Sequence, residues 1–245
     1  MKRTYTDLHL KINPKDQKAT QQISKRAARF GYKSVGFAHS FGLQDHELAT
    51  LQTSCDEAGL EMVLRADFKP RNQEDLMRFL RKYRRKLEVI CILCDDKEIS
   101  RQAAKDRRVD LINFPVLDYH KRFFDRAEAE LACSNQTALE VDIKPLLVLE
   151  GPTRVRLLSN LRREVGLAME FQVPIVLSSG IAEDHLMRMP QGIASLGYLF
   201  GLSEKEALDA ISTNPLAIVT RNRKKLGDTF VAPGITILKE GEKTV

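Results

Sequence analysis

A TIM-barrel-like α/β barrel is the fold class this 245-residue sequence predicts, with seven strands or an incomplete eight and extra C-terminal helices. Three observations carry that reading. Short apolar runs alternate with longer segments of helical spacing, the pattern of a parallel sheet joined by crossover helices. Composition suits a sizeable core, with 43% of residues hydrophobic and 29% charged, and barrels of this length commonly form one domain. The last quarter then drops the alternation and reads as consecutive helices. No internal repeat, low-complexity stretch or Pro/Gly-rich linker marks a boundary. Residues 1–245 are therefore expected to be a single α/β-barrel domain with a polar tail at about 239–245.

Strands are expected at 6–12, 34–38, 62–67, 88–94, 110–114, 138–143 and 174–177. Helical spacing falls between them, for example at 44–58, 74–83, 101–105 and 157–171. Further helices are expected at 193–200, 204–211 and 215–225. Ser203 and Asn214 stand in N-cap positions, and Pro215 follows where its missing N–H costs nothing. An eighth strand has room only at 230–238, where Pro233-Gly234 interrupts it.

Lys and Arg total 39 against 33 Asp and Glu, a formal charge of +6. Such an excess fits a polyanionic partner without requiring one. The N-terminal residues lack the apolar centre of a signal peptide, and no apolar run is long enough to span a bilayer. A cytoplasmic protein without membrane contact is expected. Four cysteines in a chain of this length make a disulfide framework an unfavoured reading.

Strand alternation puts Asp7, His9 and Lys11 on one face of the first strand. Arg65, Asp67 and Lys69 share a face of the third, and Glu140, Asp142 and Lys144 a face of the sixth. The helix-facing side of a barrel must be apolar, so these sets are expected to point inward and toward the C-terminal mouth, where barrel enzymes carry their chemistry. Asp7, Asp67, Glu140 and Asp142 balance Lys11, Arg65, Lys69 and Lys144, which predicts mutual pairing rather than a ligand set. His39, His46, His120 and His185 form no paired motif with His9 or each other, so no metal site is expected. Cys91 and Cys94 lie three apart in an apolar strand and hence on opposite faces, as core residues rather than zinc or redox partners. Ser178-Ser179-Gly180 is either a phosphate-cradling turn or an ordinary strand end. There is no nucleotide-binding glycine motif and no nucleophile elbow.

Basic residues cluster at 78–86, 101–108, 154–163 and 221–225. Those near 84–86 and 224–225 also suit helix C-termini. Arg154 and Arg156 open a helix instead, where the dipole disfavours cations and a phosphate would account for them. With no Trp and 7% aromatic residues, recognition of shape and backbone is expected rather than stacking on bases.

Several segments together resemble a known family. They are Leu64-Arg65-Ala66-Asp67 with Lys69-Pro70, then Val109-Asp110-Leu111-Ile112-Asn113-Phe114-Pro115. Next come Thr137-Ala138-Leu139-Glu140-Val141, Lys144-Pro145-Leu146-Leu147, and Arg154 with Leu157-Leu158-Ser159-Asn160-Leu161. Ile175-Val176-Leu177-Ser178-Ser179-Gly180, Arg188-Met189-Pro190 and Ile193-Ala194-Ser195-Leu196-Gly197 follow, closed by Gly201-Leu202 and Asn214-Pro215. In their order and spacing the chain resembles the archaeal ribonuclease P protein component 3 family, homologous to the thirty-kilodalton eukaryotic subunit, from the first strand to Lys225.

The resemblance implies a seven-stranded barrel related to the polymerase-and-histidinol-phosphatase (PHP) metal phosphoesterases. Those enzymes open with an H-x-H, and the matching stretch here is His9-Leu10-Lys11, which implies a lost metal site. It further implies a subunit of ribonuclease P, the ribonucleoprotein that removes the 5′ leader from precursor tRNA, with no catalytic residue in this chain. No cofactor would be bound by this chain, while the RNA subunit needs Mg²⁺. Implied partners are the ribonuclease P RNA and, directly, protein component 2. In the holoenzyme, components 1 and 4 and a kink-turn-binding ribosomal protein join them, with precursor tRNA as substrate. The residues expected to contact RNA are Lys69, Arg71, Arg101, Lys144, Arg154 and Arg188, the last lying in the matching R-x-P. Two enzymatic alternatives stand beside this. One is a free-standing PHP-like metal-dependent phosphoesterase with a divergent site. The other uses Lys144 as an amine nucleophile, which Glu140 and Asp142 would keep protonated. Residues 226–245 have no clear counterpart in the family and receive no role.

Overall fold

The computed structural model describes residues 3–11, 13, 15–38, 42–114, 122–227, 230–232 and 235–236. Seven strands form one parallel sheet in chain order, rolled into a nearly closed barrel: β1 Tyr5–Leu10, β2 Tyr32–Phe37, β3 Glu61–Phe68, β4 Val89–Leu93, β5 Leu111–Asn113, β6 Ala138–Asp142 and β7 Ile175–Ser178. Every expected strand is present, its ends within two residues of the expected ones. The helices between strands are α1 Gln17–Arg29, α2 Asp45–Ala58, α3 Gln73–Tyr83, α4 Lys97–Lys105, α5 Arg126–Asn135, the short α6 Lys144–Val148, and α7 Gly151–Glu170. Asp16, Asn72, Asp96 and Asp125 begin α1, α3, α4 and α5 by accepting hydrogen bonds from first-turn N–H groups. Each such cap stabilises its helix by about 1 kcal/mol and fixes where the chain turns back toward the sheet.

Two apolar layers hold the barrel. Outside, residues such as Leu10, Val35, Phe37, Ile92, Leu139 and Leu177 belong to the large core packed under the helices. Inside, Leu8, Val63, Val89, Leu111, Ala138 and Val176 form a smaller layer. Ile218 and Val219 of α10 (Thr213–Leu226) pack against this inner layer as its floor.

β1 departs from simple alternation. Asp7 stands opposite Val35 and Leu10 opposite Phe37, so β1 advances three residues where β2 advances two. This bulge turns both Leu8 and His9 inward, which corrects the expectation that Asp7, His9 and Lys11 share the inner face. Asp7 keeps register with Val35 of the outer core, and Lys11 lies beyond the strand end, exposed. Gly36 makes the bulge possible, because a Cβ there would sit 2.4 Å from the Leu8 carbonyl oxygen.

β1 and β7 do not pair as strands. The seam is closed by Gly180 N–H donating to His9 O at 2.9 Å, Lys11 N–H to Ile181 O at 2.7 Å and Thr6 N–H to Ile211 O at 3.1 Å. After β7 come α8 Pro190–Gly197, α9 Glu204–Ala210 and α10. Ser203 caps α9 in a capping box with Glu206, as expected. Asn214 is not an N-cap: α10 starts at Thr213 after Ser212, and the Asn214 amide instead donates to Ile175 O of β7 at 2.8 Å. Pro215 is accommodated two positions further in, because N–H groups of the first turn have no intrahelical partner anyway. In the segment that had room for an eighth strand, Phe230–Ala232 pairs antiparallel with Ile235–Thr236 outside the barrel sheet. The polar tail at 239–245, His39 and His120 lie outside the described residues.

Candidate functional site

The inward residues of β1, β3 and β6 meet at the barrel centre, above the inner apolar layer. Arg65 of β3, fully buried, donates from Nη1 and Nη2 to the two oxygens of Glu140 on β6, each at 2.6 Å. Its Nε donates to Asp67 Oδ1 at 2.6 Å, and Nη1 also reaches Leu8 O at 3.0 Å. His9 lies between Asp142 and the same Asp67, with Nδ1 2.7 Å from Asp142 Oδ1 and Nε2 2.8 Å from Asp67 Oδ2. Neutral donors complete the set: Ser178 Oγ to Glu140 at 2.6 Å, and Asn113 Nδ2 to Glu140 at 3.0 Å and Asp142 at 3.2 Å.

The electrostatics follow from this geometry. Burial by itself would lower the basicity of His9, but the Asp142 and Asp67 carboxylates outweigh it and raise its pKa to about 9. His9 is thus an imidazolium at neutral pH, with a proton for each neighbouring carboxylate. Burial works against ionised Glu140 as well, yet the Arg65 guanidinium holds its pKa down to about 2. Asp67 is held far below the carboxylate range by Arg65 and His9. Asp7 stands apart and shifts the other way, its acidity weakened chiefly by complete burial although Ser179 and His9 N–H groups donate to it.

Four against four was the expected balance, but the observed centre sets His9 and Arg65 against Asp67, Glu140 and Asp142. Lys11, Lys69 and Lys144 stay outside it, because the residue two beyond each strand's last inward position has already left the sheet. One ligand atom each from His9, Glu140 and Asp142 lies within 4.8 Å of the others. In the structure these atoms are already engaged with one another: the Arg65 guanidinium occupies both oxygens of Glu140, and the two ring nitrogens of His9 face Asp142 and Asp67.

The serine turn has no free donors for a phosphate either. Ser179 N–H is committed to Asp7 at 3.0 Å and Gly180 N–H to His9 O. Gly180 has φ +65°, and a Cβ there would press on the Asp142 carboxyl at 2.8 Å, so the turn is fitted to the charged centre. Cys91 and Cys94 are buried in different layers, one in the inner and one in the outer apolar set, as core cysteines would be.

The six cations expected to contact RNA are dispersed, mostly around the mouth. Lys69 pairs with Asp95 at 2.6 Å and Lys144 with Glu183 at 2.8 Å. Arg71 is exposed and shares a groove with Lys69, and Arg154 is exposed in the first turn of α7. Arg101 is occupied in bracing α5, with Asp125 at 2.6 Å and Glu128 at 3.3 Å. Arg188 donates to the carbonyls of His185 and Met187. A second buried polar node, missed in the sequence, lies at the opposite end. There Asp110, 1% exposed, accepts from Arg84 at 2.5 Å, Arg221 at 3.0 Å and Asn222 at 2.7 Å. Asp110 sits in a recognised segment, but nothing local to it announces partners from two distant helix ends.

Comparison with known proteins bears on this arrangement. The family model described as RNase P subunit p30 matches residues 4–226. Ribonuclease P protein component 3 of Methanosarcina barkeri is 33% identical over 94% of this chain and 93% of its own length. Its counterpart in Methanosarcina mazei is 30% identical over the same shares. Among solved structures, a chain of archaeal ribonuclease P with mature tRNA superposes with a TM-score of 0.81 at 20% identity, covering 97% of this chain and all of that one. Ochratoxinase from A. niger shares the barrel alone, with a TM-score of 0.61 at 10% identity over 89% of this chain and 71% of its own.

Proposed function

The chain belongs to the RNase P subunit p30 family, and from that membership we propose that it is a protein component of ribonuclease P, the enzyme being the assembly and this chain one of its parts. One observation supports a supporting rather than a cleaving role. The charged centre inside the barrel is closed on itself, because Arg65 and His9 between them contact all three of its carboxylates, Asp67, Glu140 and Asp142. The PHP-like phosphoesterase reading is accordingly not favoured. Cleavage, removal of the 5′ leader from precursor tRNA, falls to the RNA subunit with its Mg²⁺, and this chain binds no cofactor of its own.

The chain works in the cytoplasm within a complex of RNA and further proteins. Component 2 is its direct partner, joined by components 1 and 4 and a kink-turn-binding ribosomal protein. Lys69, Arg71, Arg101, Lys144, Arg154 and Arg188 are its RNA contacts on the mouth side. Exposed ion pairs such as Lys69–Asp95 are weak enough to be exchanged for a phosphate.

The test is cleavage of precursor tRNA by the cognate RNA with component 2, with and without this chain, over a Mg²⁺ titration. A raised rate or lowered Mg²⁺ requirement on adding the chain, with no cleavage by protein alone, is the expected result. Phosphoester hydrolysis by the isolated protein with Mn²⁺ or Zn²⁺, and no effect on the RNA reaction, would overturn it.

A further inference from the structure

Three of the four basic segments, far apart in sequence, come together at the floor of the barrel, the end opposite the charged centre. Arg84 and Arg85 follow α3, Arg107 and Arg108 follow α4, and Arg221, Lys224 and Lys225 end α10. They line adjoining grooves of about 560 and 310 Å³ that share Arg107, Lys225 and Phe230. A third groove continues past Arg221 and Lys224 toward Arg3. The surface is therefore a track rather than a single cup.

Two tiers of cations can be told apart. Arg84 and Arg221 hold Asp110, and Arg108 holds Asp106 at 2.6 Å, so these three are structural. Above them, Arg85, Arg107, Lys224 and Lys225 are exposed and have no ion-pair partner among the described residues. The Lys225 amine is pushed below its ordinary basicity, first by partial burial and then by Arg221, Arg84 and Arg107, which together outweigh the attraction of Asp110. Helix dipoles favour cations after α3 and α10. They do not account for three elements directing their charge into one track. At the mouth, by contrast, Lys69, Arg101 and Lys144 are each paired with a carboxylate.

We propose that this floor track binds the phosphate backbone of RNA, and that it is the main electrostatic contact between this chain and the RNA of its ribonucleoprotein. The proposal rests on the family reading above, which makes RNA the polyanion at hand. Four unpaired cations along a continuous open track match successive phosphates of a strand. A single free phosphate would need an enclosed cup instead. Stacking on bases is not the basis of the contact, since Phe230 is the one aromatic residue among the described residues lining the two shared grooves.

The experiment is filter binding of a cognate ribonuclease P RNA transcript to the full-length protein, alone and with component 2, across a KCl series. A quadruple variant Arg85→Gln, Arg107→Gln, Lys224→Gln and Lys225→Gln is compared with wild type and with a mouth variant, Arg71→Gln with Arg154→Gln. None of the six side chains holds the fold, and circular dichroism melts check that each variant remains native. The floor variant is expected to bind at least tenfold more weakly at moderate salt. Its log–log salt slope should fall by about one for each phosphate that the protein no longer neutralises, hence by roughly two to four. Wild-type affinity and slope in a folded floor variant, with wild type binding normally, overturn the floor site and leave the family reading intact. Weakening confined to the mouth variant does the same and moves the contact to the mouth. If wild type itself neither binds the RNA nor alters cleavage, the functional reading falls, and this inference with it.

Discussion

Arg65 commits its guanidinium to Glu140 and Asp67, so removing it leaves buried carboxylates without their counter-charge. Arg65→Met is expected to destabilise the fold by about 3–5 kcal/mol in urea unfolding, with Arg65→Lys little better, because an ammonium cannot reproduce the two-pronged contact. His9 gives a pH signature. Its folded pKa is raised to about 9 from 6.5, so the stability it confers is complete below pH 6.5 and is lost as pH rises through 9. A difference of that size is worth roughly 3 kcal/mol. Glu140 has the opposite sign. With its folded pKa lowered to about 2 from 4.5, its contribution is present above pH 4.5 and disappears as pH falls toward 2. Unfolding free energies measured from pH 3 to 10 should therefore form a plateau near pH 5–6, and His9→Gln should flatten the alkaline limb alone. An unchanged alkaline limb in His9→Gln would show that the imidazolium does not set it. Strand alternation in the sequence already grouped Arg65 with Asp67 and Glu140 with Asp142. The exclusion of the lysines was not readable there, because it depends on where each strand ends.

Elements were legible to different degrees for physical reasons. β3 to β7 alternate regularly, and Ser203 announces α9 through a local hydrogen bond, so both could be read from neighbours in sequence. The bulge in β1 could not, since Asp7-Leu8-His9-Leu10 alternates without fault and the residue that permits the bulge, Gly36, is on another strand. Asn214 misled for a related reason: its capping chemistry was real but directed at Ile175 of β7. Gly36→Ala would force a methyl group against the Leu8 carbonyl, and overpacking of this kind costs about 1–3 kcal/mol. Thermal melts should show that loss, together with a weaker alkaline limb as His9 is displaced from its two carboxylates. A melt and pH profile matching wild type would mean that β1 relaxes freely.

At the scale of the whole molecule, α10 joins two tasks, packing Ile218 and Val219 against the inner layer and carrying Lys224 and Lys225 on the floor track. Ligand that engages the track then stabilises the barrel by mass action. RNA at a hundredfold over its dissociation constant should add about 2.7 kcal/mol, read as slower amide exchange in α10. Exchange unaltered by saturating RNA would separate the two tasks. The barrel itself was legible because its period is local. The gathering of Arg85, Arg107 and Lys225 was not, because it depends on how far the sheet rolls. The seam between β1 and β7 bears on biosynthesis. β1 is translated before its neighbours, yet its outer edge waits for Gly180 and Ile181, and then for Ile211, before its hydrogen bonds are met. Until residue 211 has emerged from the ribosome, the nascent chain carries an open strand edge, a template for pairing with another copy. This protein thus carries an open edge through most of its own synthesis, closed only when the segment around Ile211 becomes available.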